Sequence, residues 1–350
     1  MPCSGFPGFH LAILLGCAVG GSVGAAQAQF IEHRADRPTL DKWMYPFGPP
    51  GGRESNAPVF GAILISGFDD RDAQFVLGYA TGSAVPAGLG EDSYRVARAV
   101  VRATVSTDRV FIYDPTWDSF RGLLPDTDPR YVPDEDPGRP VELFACGFRN
   151  GFSATTFVES SPFGGTPMIP PAEGARNVFA AVYDEQGLAM DVSRQVRLGF
   201  EAIPAAIGLT DAVAPGQRVP VDTTFTFTLD LCDPAFNAYL RRALDEGMLF
   251  LMITSLEPAS GGPGGGTGGA YPTFYTKENP VAIPLGYAAT LELDVQVYRG
   301  GDVDGDGVVD FNDFLAYLNL YNAGTLAADL TGDCTVDFND MLDFLNRFNR

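Results

Sequence analysis

From residue 224 to residue 231 the chain alternates without a break. Phe225, Phe227, Leu229 and Leu231 are apolar, and Thr224, Thr226, Thr228 and Asp230 between them are polar. A period of two sends the two sets to opposite faces of a strand. The same alternation runs through 291–297, and in 95–105 it sets Ala97, Ala99, Val101, Ala103 and Val105 against Arg98, Arg102 and Thr104. Apolar runs at 60–66, 141–148, 178–183, 249–255 and 289–297 predict further strands. Turns rich in Pro, Gly and Asp separate them, the pattern of an antiparallel β-sandwich. One helix interrupts it at 235–244, with Asp233 as cap, Pro234 in the first turn and Gly247 at the end. The Gly-rich run 261–269 reads as a long surface loop rather than a linker, because the segments on both sides belong to one sheet domain.

The period changes after residue 300. Apolar residues then recur at helical spacing, once as Phe311, Phe314, Leu315, Leu318 and Tyr321, and again as Phe338, Met341, Leu342, Leu345 and Phe348. Each stripe follows a twelve-residue loop, and the two loops begin 27 residues apart. The first places Asp302, Asp304, Asp306, Asp310 and Asp313 at loop positions 1, 3, 5, 9 and 12; the second places Asp329, Thr331, Asp333, Asp337 and Asp340 there. The backbone carbonyls of Val308 and Thr335 stand at position 7. Oxygens at these positions let a loop wrap a cation that takes six to eight oxygen ligands, which is the chemistry of Ca2+. Two ions are expected. The second should be held more weakly, because Thr331 is neutral and Cys334 occupies position 6, where the turn favours Gly.

No helix precedes the first loop, and position 12 is Asp in both copies, where an EF-hand usually has Glu. A loop followed by one helix, duplicated over 301–348, resembles the type I dockerin domain of secreted bacterial proteins. That resemblance implies two calcium-loaded loop–helix units that dock onto a cohesin-type partner on a scaffold or cell surface. Mapped onto this chain, the family's contact positions are Phe311, Asn312, Leu318 and Asn319 in one half and Phe338, Asn339, Leu345 and Asn346 in the other. The two sets are identical and lack the hydroxyl and basic residues common in dockerins; Phe311 and Phe338 also read as core. The strand pattern of the larger part is similar to the jelly-roll, carbohydrate-binding-like domains of secreted planctomycete-type proteins. The fold expected is thus mainly β: an export signal at 1–28, a jelly-roll-like β-sandwich at 29–299, and a small helical dockerin-like unit at 300–350.

Charge and address fit this reading. The net charge is −21; from residue 301 onward ten Asp stand against Arg347 and Arg350. Nothing in so acidic a chain neutralises phosphates, which argues against nucleic-acid binding. An apolar start at 11–15 leads to Ala26-Gln27-Ala28, a cleavage pattern for export, although residues 1–10 contain no Lys or Arg. Leu14-Leu15-Gly16-Cys17 is a weaker lipoprotein-type alternative. No other stretch is apolar for long enough to span a membrane. Beyond the signal, Cys146, Cys232 and Cys334 remain. Cys146 and Cys232 lie in strand-like segments and either pair or stay as buried thiols.

Catalytic chemistry has few candidates. The only histidine after the signal is His33, read as a solvated residue on a flexible arm, which disfavours triads and histidine-based zinc sites. Glycoside hydrolysis needs only two carboxylates. Asp114, Asp118, Glu142 and Glu159 are the candidates, with Glu142 in an apolar strand but expected at an edge or facing outward. The segment 67–72, with Asp69, Asp70 and Asp72, is a candidate for a third calcium in the sandwich, against a plain solvated turn. Sugar binding would use exposed aromatics, for which Trp43, Tyr45, Tyr113 and Trp117 are the natural set. Three functions therefore stand: a non-enzymatic docking protein with a polysaccharide or other ligand on its β-domain, a carbohydrate-active hydrolase, and a surface protein whose twin loops only clamp its C-terminus.

Overall fold

The computed structural model describes residues 30–48, 53–164, 174–260 and 269–349. Residues 1–28, expected to be an export signal, and residues 261–268 of the Gly-rich run lie outside them. Two antiparallel sheets form the larger part. The first contains β1 (Phe30–Ala35), β4 (Tyr94–Thr104), β8 (Thr224–Thr228) and β10 (Thr290–Val297), in the order β1-β10-β4-β8. The second contains β2 (Leu40–Met44), β3 (Arg71–Ala80), β5 (Val141–Phe148), β6 (Val178–Tyr183), β7 (Ala189–Asp191) and β9 (Met248–Ser255), in the order β2-β3-β9-β5-β6-β7.

Alternation along each strand builds the core. Ala99, Val101, Phe225, Phe227, Leu291 and Leu293 of the first sheet meet Phe75, Leu77, Leu143, Leu249, Leu251 and Ile253 of the second. The second sheet is buried on its other face as well. There Val76, Phe144, Phe250 and Met252 pack under Phe157, Val192 and Ala202 from the long connections. Burial on both faces is why β9 reads as an unbroken apolar run. Part of the first sheet's outer face stays wet, where Arg98 and Arg102 grip Glu292 across the strands. The helix α1 (Pro234–Glu246) is capped by Asp233, which accepts from the backbone of Ala235 and Phe236, and ends at Gly247 in the left-handed region. Its residues Phe236, Tyr239 and Leu240 join the inter-sheet core.

Three sequence expectations fail here. The strand expected at 60–66 shrinks to Phe60–Gly61; a turn follows, with Leu64 at φ 57° and its N–H donated to Asp70. His33 is no arm residue: it sits half-buried in β1, paired with Leu293, and burial followed by the neighbouring Arg34 lowers its pKa. Ala97 does not share a face with Ala99. The register between β4 and β10 slips at Asp294/Val295, leaving Ala97 unpaired. This bulge reverses the phase, so Tyr94 and Val96 point into the core and Arg95 points away.

The C-terminal part packs α2 (Phe311–Ala323) against α3 (Phe338–Phe348), with Tyr317 stacked on Phe344 at 4.1 Å. It does not stand apart from the sandwich. Tyr298 is buried in its core, and Phe30 and Ala97 of the first sheet pack against it. Arg95, freed by the bulge, donates to the carbonyls of Asp329 at 3.0 Å and Leu330 at 2.7 Å. Tyr298 donates its hydroxyl to the Ala327 carbonyl, and Gln296 its amide to that of Val303. Among the described residues no helix is long and apolar enough to cross a membrane.

Candidate metal centre

Both C-terminal loops enter their helices through the same geometry. Asp310 and Asp337 are the N-caps, accepting from the N–H of Asn312 and Asn339 at 2.7 Å. Three residues on, Asp313 and Asp340 close capping boxes by accepting from the N–H of Asp310 and Asp337. The second oxygen of each turns back to the start of its loop, taking the N–H of Val303 at 2.7 Å and of Thr331 at 2.9 Å. Position 12 thus ties the loop's end to its beginning, and both carboxylates are fully buried. Asp302 gathers the N–H groups of Gly305 and Gly307; Asp329 gathers those of Gly332, Asp333 and Cys334.

In the first loop Asp302, Asp304 and Asp313 each bring one oxygen within 4.8 Å of the others, a cluster that could hold a metal ion. Burial raises the Asp304 carboxyl, and the charges of Asp313, Asp306 and Asp302 add to it. A divalent cation relieves both effects, so the donor set fits a hard metal. Asp306 and Asp310 lie outside this trio: Asp306 accepts from the Val308 N–H, and Asp310 serves as cap. In the second loop Asp329 and Asp340 are buried, Thr331 donates its hydroxyl to Asp329, Asp333 accepts from the Thr335 N–H, and Asp337 caps. Val308 and Thr335 are exposed.

Cys334 changes the account of the second loop. It forms a disulfide with Cys232, just ahead of α1, across a separation of 102 residues. The pairing of Cys146 with Cys232 is therefore overturned. Cys146 is a free thiol of β5, buried in the core on the second sheet's outer face, where loss of water pushes its pKa up. Cys334 has φ 64°, matching the left-handed Gly307 of the first loop. Sequence reasoning missed the pair because it joins two parts read as separate; an odd cysteine in the tail was the only signal.

The expected partner face is outside the core. Phe311 and Phe338 are 67 % and 65 % exposed, which removes their reading as core residues. Asn312, Asn319, Asn339 and Asn346 are exposed too, while Leu318 and Leu345 are half-buried. Leu345 packs against the C-terminal core.

The β-domain candidates scatter. Trp43 stacks on Tyr45 at 4.8 Å, and Tyr45 lies edge-on to Phe47 and Phe60. Tyr113 is buried against Phe225, with its hydroxyl accepting from the Thr210 N–H, so it is core rather than a loop platform. Trp117 is 37 % exposed, donates to the Ala202 carbonyl, and lines a cleft of about 280 Å³ with Asp118, Asp134 and Glu201.

Glu142 is neither at an edge nor outward-facing toward water. It is buried in a forked ion pair with Arg71, at 2.6 and 2.8 Å, and burial raises its pKa against that pairing. Glu159 is held by Lys277. The third-calcium segment 67–72 is already compensated: Asp69 pairs with Arg176, Asp70 with Arg197, and Asp72 accepts from the Asp69 N–H. Asp114 and Asp118 instead meet Asp134 and Asp136, which sequence reasoning did not single out, in a second acidic cluster able to hold a metal. Burial raises the Asp114 carboxyl and pushes that of Asp118 up to about 8.

No protein-family model matches the chain, and no curated protein matches it.

Proposed function

We propose that this chain is a secreted calcium-binding protein that docks a jelly-roll β-domain onto a cohesin-type partner or cell-surface scaffold through its C-terminal dockerin-like unit. The observation that carries this reading is the duplication of one geometry. Both loops end in a buried position-12 Asp that closes a capping box, and both helices begin with a Phe left in solvent. Exposed aromatics at matching positions are the kind of side chain that anchors a docking interface. The jelly-roll part is supported by strand order. With the flanking β2 and β7 set aside, the eight remaining strands pair as first-eighth-third-sixth and second-seventh-fourth-fifth, so each sheet is crossed by long connections. The test is capture of cohesin domains by the full chain in calcium and in chelator. Capture should require calcium, and Phe311→Ala combined with Phe338→Ala should weaken it by roughly 2–4 kcal/mol. Calcium-independent capture, or an unaffected double variant, would remove the docking role.

A second reading has its own observation. The disulfide and the grip of Arg95 and Tyr298 fasten the unit to the sandwich, as a C-terminal clamp requires. Calcium binding without capture of any cohesin would favour it.

A further inference from the structure

We infer that the β-domain holds a divalent-cation site of its own, suited to calcium, on the carboxylates of Asp114, Asp118, Asp134 and Asp136. One oxygen from each lies within 4.8 Å of the others. The four come from two short Asp-rich loops brought together around Gly138, whose φ of 114° suits glycine. A Cβ there would stand 3.2 Å from that of Asp114 and 3.3 Å from the Ile112 carbonyl, so glycine allows the approach. Thr116 bridges the loops, its hydroxyl 2.7 Å from Asp114 and 2.8 Å from Asp136. One hydroxyl proton serves only one of these two acceptors well.

Charge compensation is incomplete. The Arg139 guanidinium reaches Asp134 at 2.8 Å and Asp118 at 3.2 Å, one guanidinium among four carboxyl groups. A separate observation points to a ligand: Oδ2 of Asp114 and Oδ1 of Asp118 are buried without any hydrogen-bond partner among the described residues, in side chains only 3 % and 6 % exposed as residues. Buried carboxylate oxygens are normally met by donors. The Asp70 carboxylate, equally deep, receives the N–H of Leu64 and of Arg197. A cation supplies what the protein withholds here. With oxygen donors alone and neither His nor Cys in the cluster, the site selects a hard ion. Calcium accepts such an irregular set completed by water, whereas magnesium demands a near-ideal octahedron. The cleft lined by Trp117, Asp118 and Asp134 gives ion and water a way in.

This site is independent of the C-terminal loops, and terbium, a luminescent stand-in for calcium, can address it separately. Trp117 neighbours Asp118, and the chain has only two Trp, so selective Trp excitation should light an ion bound here. In the full chain we expect sensitised emission that saturates with one ion and is displaced by calcium. It should persist in Asp302→Ala/Asp329→Ala, which disables the C-terminal loops, and in Trp43→Phe. The exposed pair Asp134→Asn/Asp136→Asn should weaken it roughly tenfold or more, and Trp117→Phe should remove the emission while calorimetry still counts the ion. No sensitised emission from the folded protein, or emission indifferent to Asp134→Asn/Asp136→Asn, would overturn the proposal. Loss of emission in Asp302→Ala/Asp329→Ala would also overturn it, by assigning the ion to the C-terminal loops.

Discussion

Arg95 turns away from the core because Ala97 is bulged, and it spends its guanidinium on two carbonyls of the C-terminal unit. Arg95→Ala would leave the carbonyls of Asp329 and Leu330 without these donors. We expect a loss of about 2–3 kcal/mol in the stability of that unit, measured by denaturant titration with proteolysis as the readout. No change would mean that water replaces the arginine. Asp72 and Glu257 carry a different kind of strain. Burial pushes their carboxyls up to about 6 and about 7, against the opposing charges of Arg176 and Arg139 respectively. A folded-state pKa above the unfolded one means that the folded form holds its proton more tightly. Their contribution to stability is therefore fully present below about pH 4 and is lost as pH rises through 6 to 7. Asp72→Asn with Glu257→Gln should flatten the fall in stability between pH 4 and 7 by roughly 1–3 kcal/mol. An unchanged pH profile would show that these groups titrate as they do in the unfolded chain. Cys334 adds a third residue-level test. In a Cys232→Ala background, Cys334→Gly should be more stable than Cys334→Ala by about 1 kcal/mol, since only glycine meets a φ of 64° without strain. Equal stabilities would contradict this.

At the scale of elements, what the sequence disclosed followed how purely each segment kept its period. Residues 141–148 and 178–183 match the strands found, and 249–255 falls short by one residue, because apolar runs that long have few alternatives. The stripes from Phe311 and Phe338 begin the helices as expected, since Asp310 and Asp337 cap them. β3 was hidden by its own start: Arg71 and Asp72 fell in a segment read as a turn or calcium loop, yet they and Gln74 are buried among ion pairs and hydrogen bonds made with residues far along the chain. The run 60–66 misled in the opposite way. Its Leu64 and Ile65 are exposed, and the carboxylate of Asp70 shapes the turn. The metal positions were legible as spacing; their double duty as caps and loop closers was not, because it depends on which amide each oxygen finds. In saturating calcium, Asp313→Ala should therefore cost roughly 1–2 kcal/mol more helix stability than Asp304→Ala, which removes a ligand of the same cluster but no cap, visible in circular dichroism as a lower melting temperature. An equal cost for the two variants would mean that the box contributes nothing on its own.

Across the whole molecule, the C-terminal unit and the sandwich share a core and a covalent link. Tyr298, Phe30 and Ala97 pack into the unit, and Cys232 holds Cys334. A disulfide closing so long a loop restricts the unfolded chain, so Cys232→Ala/Cys334→Ala should lower stability by about 2–5 kcal/mol in denaturant titration. The central claim is that metal organises the twin loops and, through them, the helices that present Phe311 and Phe338. The most direct test is hydrogen exchange along the intact, oxidised chain with calcium and with excess chelator. Amides of α2, α3 and the loops before them should lose protection in chelator and regain it when calcium returns, while β3, β5 and β9 keep theirs. Protection at residues 303–348 that is the same in both conditions would contradict the account.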